Sequence, residues 1–316
     1  MSIPDSIISS IGSKIPVVVG PTAVGKTGFS IQLAKQLNGE IISVDSRQIY
    51  RDFIIGTAQP TNEELKSVPH NLIGTLNADE IVNSGQYADW VSALIVAIKD
   101  RGHLPVLVGG SFLYLQSIIN GIIRTADGSP KIRQNIMQEI DEKGIDTMMS
   151  RLHQIDSDYA AIVHPNDVKR LVRALEIYEI TGKPPSEVFL EQQKLDQELQ
   201  HQYFVIGLTC ERAKLYQRIE NRVDDMIQAG WQQETHNLLA SGVSRTSHAM
   251  QSLGYKQLVE VEQGAVALEE AIVIIKQKTR QFAKKQITWM NKMSIDMILD
   301  CDVSYKSSSL YDWKTD

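Results

Sequence analysis

Between Ile15 and Gly39 the chain runs through a β-branched stretch, a loop bracketed by glycines and an amphipathic stretch, and this order restricts its fold more than any other feature. Ile15 to Val19 reads as a buried parallel strand. It leads directly into Gly20-Pro21-Thr22-Ala23-Val24-Gly25-Lys26-Thr27, which matches G-x-x-x-x-G-K-[ST]. A helix is predicted next, with Ile31, Ala34 and Leu37 on one face and Asn38-Gly39 as its stop. With glycine near its average usage, a chance match in a chain of this length is roughly a 1% event, and the strand-before, helix-after context lowers it further. Backbone N–H groups of such a loop surround a phosphate chain, Lys26 adds a full charge and Thr27 can reach Mg²⁺. A polyphosphate site is therefore expected over a bare glycine turn, although the loop does not say which polyphosphate.

A second strand is predicted over Glu40–Val44, ending at Asp45. After a Gly- and Pro-containing stretch comes a helical run with Tyr87, Val91, Leu94 and Ile98 at helical spacing, closed by Gly102. Leu104–Val108 reads as a third strand, ending in Gly109-Gly110. This alternation predicts an α/β fold with a parallel sheet flanked by helices. From about Asn120 to Gln200 the pattern is charged and helical without a convincing strand, its clearest helix running from Asp167 to Ile180. Strand character returns at Tyr203–Leu208, a long helix is predicted over Val266–Lys292, and Asp296–Leu299 reads as a last short strand. The expected organisation is a P-loop α/β core of residues 1–120 plus 200–316, with an all-helical insertion domain at 121–199. A chain of 316 residues, 42% of them apolar, is enough for such a core. The longest run resembling a membrane span, Ala93–Ile98, is far short of about 20 residues, and Pro16 interrupts the apolar start of the chain. A soluble, cytoplasmic protein with no membrane contact is expected.

Asp45 leaves the second strand at the carboxyl edge, where open α/β sheets bind ligands. A carboxylate there could take a proton from a nucleophile, hold a metal through water, or simply cap a turn. The third strand ends in Gly109-Gly110-Ser111, where a motor or switch NTPase usually carries a second metal aspartate. Arg218 and Arg222, four apart, share a helix face; periodicity alone favours a solvated face with intrahelical pairs over an anion site. The long C-terminal helix is expected to turn Leu268, Ile272, Ile275 and Phe282 inward. Six cations, Lys276, Lys278, Arg280, Lys284, Lys285 and Lys292, lie in it with no acid between Ala271 and Ile295. In a chain of net charge −6 that local excess suits a phosphodiester backbone as well as it suits a solvated face. Lys169, Arg170 and Arg173 form a smaller basic cluster on the insertion. The seven histidines show no zinc-binding spacing, and two distant cysteines, Cys210 and Cys301, make neither a zinc site nor a disulfide framework. No G-x-S-x-G elbow supports a serine hydrolase.

Taken in order, the motifs resemble those of the bacterial tRNA dimethylallyltransferases, also called tRNA isopentenyltransferases. The resemblance rests on Gly20–Thr27, Ile42-Ser43-Val44-Asp45-Ser46 with Gln48 and Tyr50, Ile55-Gly56-Thr57-Ala58, Pro69-His70 and Val108-Gly109-Gly110. It continues through His164-Pro165-Asn166-Asp167, Arg173-Ala174-Leu175-Glu176, Arg222-Val223-Asp224, Gly254-Tyr255-Lys256 and Thr279–Gln286 with Thr288-Trp289. It implies transfer of a dimethylallyl group from dimethylallyl diphosphate to the exocyclic N6 amine of the adenosine immediately 3′ of the anticodon, with diphosphate released. The loop Gly20, Pro21, Thr22, Ala23, Val24, Gly25, Lys26 and Thr27 would then hold the diphosphate, with Mg²⁺ sharing the charge and Thr27 as its ligand. Asp45 matches the general base, Thr22 a loop residue stabilising the leaving group, Arg222 an arginine directed at the diphosphate, and Ser111 a family threonine near diphosphate and tRNA. Segments matching those that meet tRNA are Asp45-Ser46-Arg47-Gln48, Ser111, Lys169 with Arg170 and Arg173, Gln251 with Gly254-Tyr255-Lys256, and Lys284-Lys285. The partner implied is a tRNA anticodon stem-loop, whose target base must be extruded to react, and the family suggests a monomer.

The chain departs from the family at Ser111 for threonine, Asn71 and Gly74 in the Pro-His-His-Leu-Ile-Asp string, Gln59 for lysine and Lys285 for arginine. Two other readings share the loop. A small-molecule or nucleoside kinase could place Asp45 against a hydroxyl and use the insertion as a lid, but would not need the basic segments. A nucleotide-sensing or RNA-binding module without turnover would not need Asp45 beside an intact loop.

Overall fold

A computed structural model describes residues 3–121, 129–191 and 202–302, with the backbone of 306–307. The chain divides into two compact units, Met1–Gln116 with His201–Asp316, and Ser117–Gln200.

The first unit is built on a seven-stranded sheet of order β3-β2-β4-β1-β5-β6-β7. Its strands are β1 (Ile15–Val19), β2 (Gly39–Val44), β3 (His70–Asn71), β4 (Leu104–Gly109), β5 (Tyr203–Thr209), β6 (Met297–Asp300) and β7 (Lys306–Ser307). Six run parallel; β7 is antiparallel to β6. Every residue of β1, β2 and β5 is buried, as inner strands of a parallel sheet covered on both faces require, including the polar Glu40 and Ser43 of β2. The register sets Val19 beside Gly109 and Gly207, and Val44 beside Gly109. The segments leaving β1, β2 and β4 therefore emerge together at one edge of the sheet.

Helices in the order α1 (Asp5–Ile11), α2 (Lys26–Gln36), α3 (Asn62–Ser67), α4 (Ser84–Asp100) and α5 (Phe112–Ile119) connect the first strands. Both α3 and α4 begin in capping boxes, Thr61 with Glu64 and Asn83 with Gln86. Phe29 and Leu33 of α2, Ile206 and Leu208 of β5 and Ile219 share one buried cluster with Val18. Each such side chain contributes about 1.5–3 kcal/mol relative to exposure. On α4 the buried row is Tyr87, Ala88, Val91, Ile95 and Ile98, so Ile95 takes the inner place expected for Leu94. The short strand β3 falls in the stretch read as a loop; two residues carry no alternation to detect.

The second unit contains α6 (Pro130–Lys143), α7 (Ile145–Ile155), α8 (Ser157–Ile162) and α9 (Val168–Thr181). Asp167 caps α9 through Arg170 N, and Gly182 ends it. Ile136, Met148, Leu152, Leu171 and Leu175 form its core. Glu176 is fully buried, its two oxygens accepting from Arg133 Nε and Arg173 Nη1, each at 2.7 Å.

After β5 the first unit continues with α10 (Arg212–Gln228), α11 (Trp231–Ala240), α12 (Tyr255–Glu262) and α13 (Leu268–Met290). The inner row of α13 is Ala271, Ile275, Ala283, Gln286, Ile287 and Met290. Leu268 and Ile272 are only half-buried, and Phe282, expected in the core, is exposed. The long helix presents a different face to its neighbours at each end, so one straight stripe cannot describe it.

Candidate active site

The Gly20–Thr27 loop closes on itself. Lys26 Nζ donates to the carbonyls of Gly20 at 2.9 Å and Pro21 at 2.8 Å. Gly25 caps α2 with φ of 105°, a left-handed conformation that a side chain would strain, and sets the first turn of the helix at the loop. Burial and the nearby Arg222 push the Lys26 ammonium down to about 8, while Asp45 opposes the shift. Loss of water around the ammonium is the larger cause of that direction and the neighbouring guanidinium the second.

Asp45 does cap its turn: Oδ1 accepts from Arg47 N at 2.8 Å and Gln48 N at 3.3 Å. Its other oxygen has no hydrogen-bond partner among the described residues, and Asp45 lines the same cavity as Lys26, Thr27 and Arg222. The turn cap thus occupies one oxygen and leaves the other available. Ser111 does not line this cavity, although Gly110 beside it does. Its Oγ accepts from Ser46 N at 3.0 Å and donates to Ser46 Oγ at 3.3 Å, tying the end of β4 to the Asp45 turn.

Arg218 and Arg222 of α10 both line this cavity but differ in their partners. Arg218 pairs with Asp302 at 2.7 Å. Arg222 makes no ion pair among the described residues and lines the cavity, where burial lowers its pKa against the pull of Asp45 and Glu64. Periodicity could place these arginines on one face but could not tell which of them lacked an acid. The cavity, about 440 Å³, is walled by Thr22, Ala58, Pro60 and Phe282 as well, and a smaller space of about 50 Å³ lined by Ile41, Ile73 and Val108 adjoins it through Lys26 and Asp45.

Comparison with known proteins decides among the readings. A sequence model of the family described as IPP transferase matches residues 48–293. The tRNA dimethylallyltransferase of Bacillus subtilis is 41% identical over 306 residues, covering 95% of this chain and 96% of that protein. The chain belongs to the IPP transferase family. The Bacillus cytotoxicus tRNA dimethylallyltransferase is 42% identical over 284 residues, 89% of each chain. Among solved structures, the full-length tRNA isopentenylpyrophosphate transferase of Bacillus halodurans superposes with a TM-score of 0.66 at 38% identity, covering 91% of this chain and 90% of that one. A eukaryotic dimethylallyltransferase acting on tRNA gives 0.80 at 33% identity, with 92% and 74% covered. The kinase alternative finds no support among these relatives.

Within this IPP transferase fold the residues expected to touch tRNA separate into two groups. Lys169 and Arg170 are exposed on α9, with Arg170 also paired to Asp167 at 3.3 Å. Gln251 and Lys256 are exposed, and so are Lys284 and Lys285, which have no ion pair among the described residues. By contrast Lys276 and Arg280 of the same helix pair with Asp224 and Glu220 of α10, so two of the six cations of that stretch are neutralised. Arg173 is held on Glu176. Arg47 donates to the His248 carbonyl at 2.7 Å, and Gln48 is engaged at both ends, by Ser43 and by the Ala58 carbonyl at 2.8 Å. Tyr255 is fully buried and Gly254 is packed so closely that a Cβ would lie 2.0 Å from the Trp231 ring. These two are internal; RNA cannot reach them without unpacking Trp231.

Two further residues were given no role by the sequence: Glu234 stands in no motif, and Gln286 entered only as the end of the Thr279–Gln286 string. Glu234 accepts from the N–H groups of Ile54 at 3.1 Å, Ile55 at 2.8 Å and Gly56 at 3.2 Å, and from Tyr255 Oη at 2.5 Å. It thereby pins the segment whose next residues, Thr57 to Pro60, wall the cavity. Gln286 of α13 accepts from Thr22 N at 2.8 Å and donates to the Gly110 carbonyl at 2.9 Å. In both, the partners are distant in sequence, which no local spacing rule can detect.

Proposed function

We propose that the chain transfers a dimethylallyl group from dimethylallyl diphosphate to the N6 amine of the adenosine 3′ of the anticodon in certain tRNAs. The observation that carries this reading is one cavity holding a phosphate loop, a half-buried arginine with no ion pair among the described residues and a carboxylate with a free oxygen. The diphosphate lies on the loop, with Lys26 and Arg222 taking the charge that grows as the allylic C–O bond breaks. The adenine N6 forms the new bond to the allylic carbon, and its proton passes to the open oxygen of Asp45. The C–O electron pair leaves with the diphosphate. Thr22 holds the loop side of the leaving group.

The Thr27 hydroxyl and the Asp45 carboxylate are hard oxygen donors on one cavity wall, which fits Mg²⁺ taking its remaining ligands from substrate phosphate and water. Such an ion supplies extra positive charge to the leaving group. Unpaired Lys284 and Lys285, with Gln251 and Lys256, offer the core unit's side of the anticodon stem-loop interface; Lys169 and Arg170 offer that of the helical unit at 121–199. A tRNA substrate fits a cytoplasmic reaction, and the reading takes the protein to act as a monomer.

The test is incubation of the protein with Mg²⁺, labelled dimethylallyl diphosphate and unmodified tRNA, followed by nucleoside analysis. N6-dimethylallyladenosine next to the anticodon is the expected product. Label released without transfer, or phosphorylation of a nucleoside when ATP is supplied, would overturn the reading.

A further inference from the structure

Gln286 stands out on α13 because it is polar in a buried row, between Ala283 and Met290, and only 5% exposed. A carboxamide in such a place is costly unless both its ends are bonded. Here both are, and the orientation is fixed by chemistry: Thr22 N can only donate and the Gly110 carbonyl can only accept. The fit is close enough that a Cβ on Gly110 would stand 2.4 Å from Gln286 Nε2. One step on from Gly110, Ser111 Oγ accepts from Ser46 N at 3.0 Å, and Ser46 adjoins Asp45. A continuous path therefore runs from the phosphate loop through Gln286 and the end of β4 to the Asp45 turn. Among the described residues no other side chain accepts from Thr22 N, so the loop end nearest the leaving group depends on this amide for its register.

We propose that Gln286 is a positioning residue for the transfer, setting the separation between the diphosphate cradle and the base Asp45. This rests on the transfer reading above. Gln286 also occupies Thr22 N, so the backbone N–H groups left for the anion begin at Ala23. Because it sets a distance and touches no reacting atom, its loss acts on the rate of the bound complex more than on binding. A misplacement on the order of 1 Å costs about 100-fold in rate.

The experiment compares wild type, Gln286→Met and Gln286→Glu in single-turnover transfer to an anticodon stem-loop, with separate titrations of inorganic diphosphate and of the RNA. For Gln286→Met, about the size of the native side chain, the bound-complex rate is expected to fall about 100-fold while both affinities stay within about threefold of wild type. An unchanged rate, or diphosphate affinity falling as far as the rate, would overturn the proposal. In Gln286→Glu the ionised acid still accepts from Thr22 but faces the Gly110 carbonyl, whereas the protonated acid restores both bonds. The variant-to-wild-type rate ratio should therefore rise as pH falls from 8 to 6, with Lys26, Asp45 and Arg222 common to both proteins. A flat ratio would overturn the proposal even if the methionine variant does not fold. No transfer by wild type would sink the transfer reading and this inference together; equal transfer by wild type and both variants would sink this inference alone.

Discussion

One Asp45 oxygen caps a turn and the other has no partner among the described residues, and that difference dictates how its proposed role as base is tested. Alanine would remove the turn cap along with the base. An asparagine in its place cannot serve as a base, but its amide oxygen still accepts from Arg47 and Gln48 N, so Asp45→Asn isolates the chemistry. Transfer is expected to fall about 10²–10⁴-fold with tRNA affinity unchanged in a filter-binding titration; near-normal turnover would remove Asp45 from the mechanism. Lys26 gives a second residue-scale prediction. Its ammonium titrates near 8 in the free protein, so above that pH a diphosphate must recover a proton in order to meet a cation. Affinity for inorganic diphosphate should therefore weaken as pH rises past 8, by at most about tenfold per unit, with proton uptake seen by calorimetry in two buffers. Lys26→Arg, charged throughout, should show no such uptake. The sequence named both residues because each stands in a local motif. Helical periodicity could not resolve Arg222 from Arg218, which only the family resemblance separated, since the difference is an ion pair to Asp302, 84 positions from Arg218.

At the scale of elements, the strand–loop–helix unit, β2, β4, β5 and the long α13 were all legible, because each is an apolar run or a sustained helical period bounded by turn residues. The two residues of β3 and the short helices α1 and α3 were not, being too brief for a period to register. Misplacing Phe282 had a different cause: its spacing fits the inner row, but the helix end there meets the cavity rather than the core. The latch built by Glu234 was equally hidden, an ordinary acid on a helix whose partners lie about 180 residues upstream. Glu234→Gln turns one acceptor into a donor facing backbone N–H groups. We expect a loss of about 2 kcal/mol in urea unfolding and a raised KM for dimethylallyl diphosphate, since Thr57 to Pro60 are no longer pinned. Unchanged stability and KM would show that the segment holds its place without the latch.

Across the whole molecule, net charge hides the surface that matters. The chain carries −6 overall, yet on α13 the cations split into those paired with α10 and those left in solvent. Reversing Lys284 and Lys285 to glutamate should weaken tRNA binding and flatten the plot of log affinity against log salt by about 0.9 for each phosphate no longer neutralised. An unaltered slope would assign those lysines to solvent. The sheet order has a consequence for the birth of the protein. β1 is among the earliest strands synthesised, yet one of its two neighbours is β5, which leaves the ribosome only after the entire helical unit. Until then the nascent chain carries an all-apolar strand with one open edge, the situation in which edge-to-edge aggregation starts. A polypeptide halted at residue 200 is expected to sediment with the insoluble fraction while the full chain stays in solution, so during translation the safety of β1 rests on chaperones and on the speed of elongation.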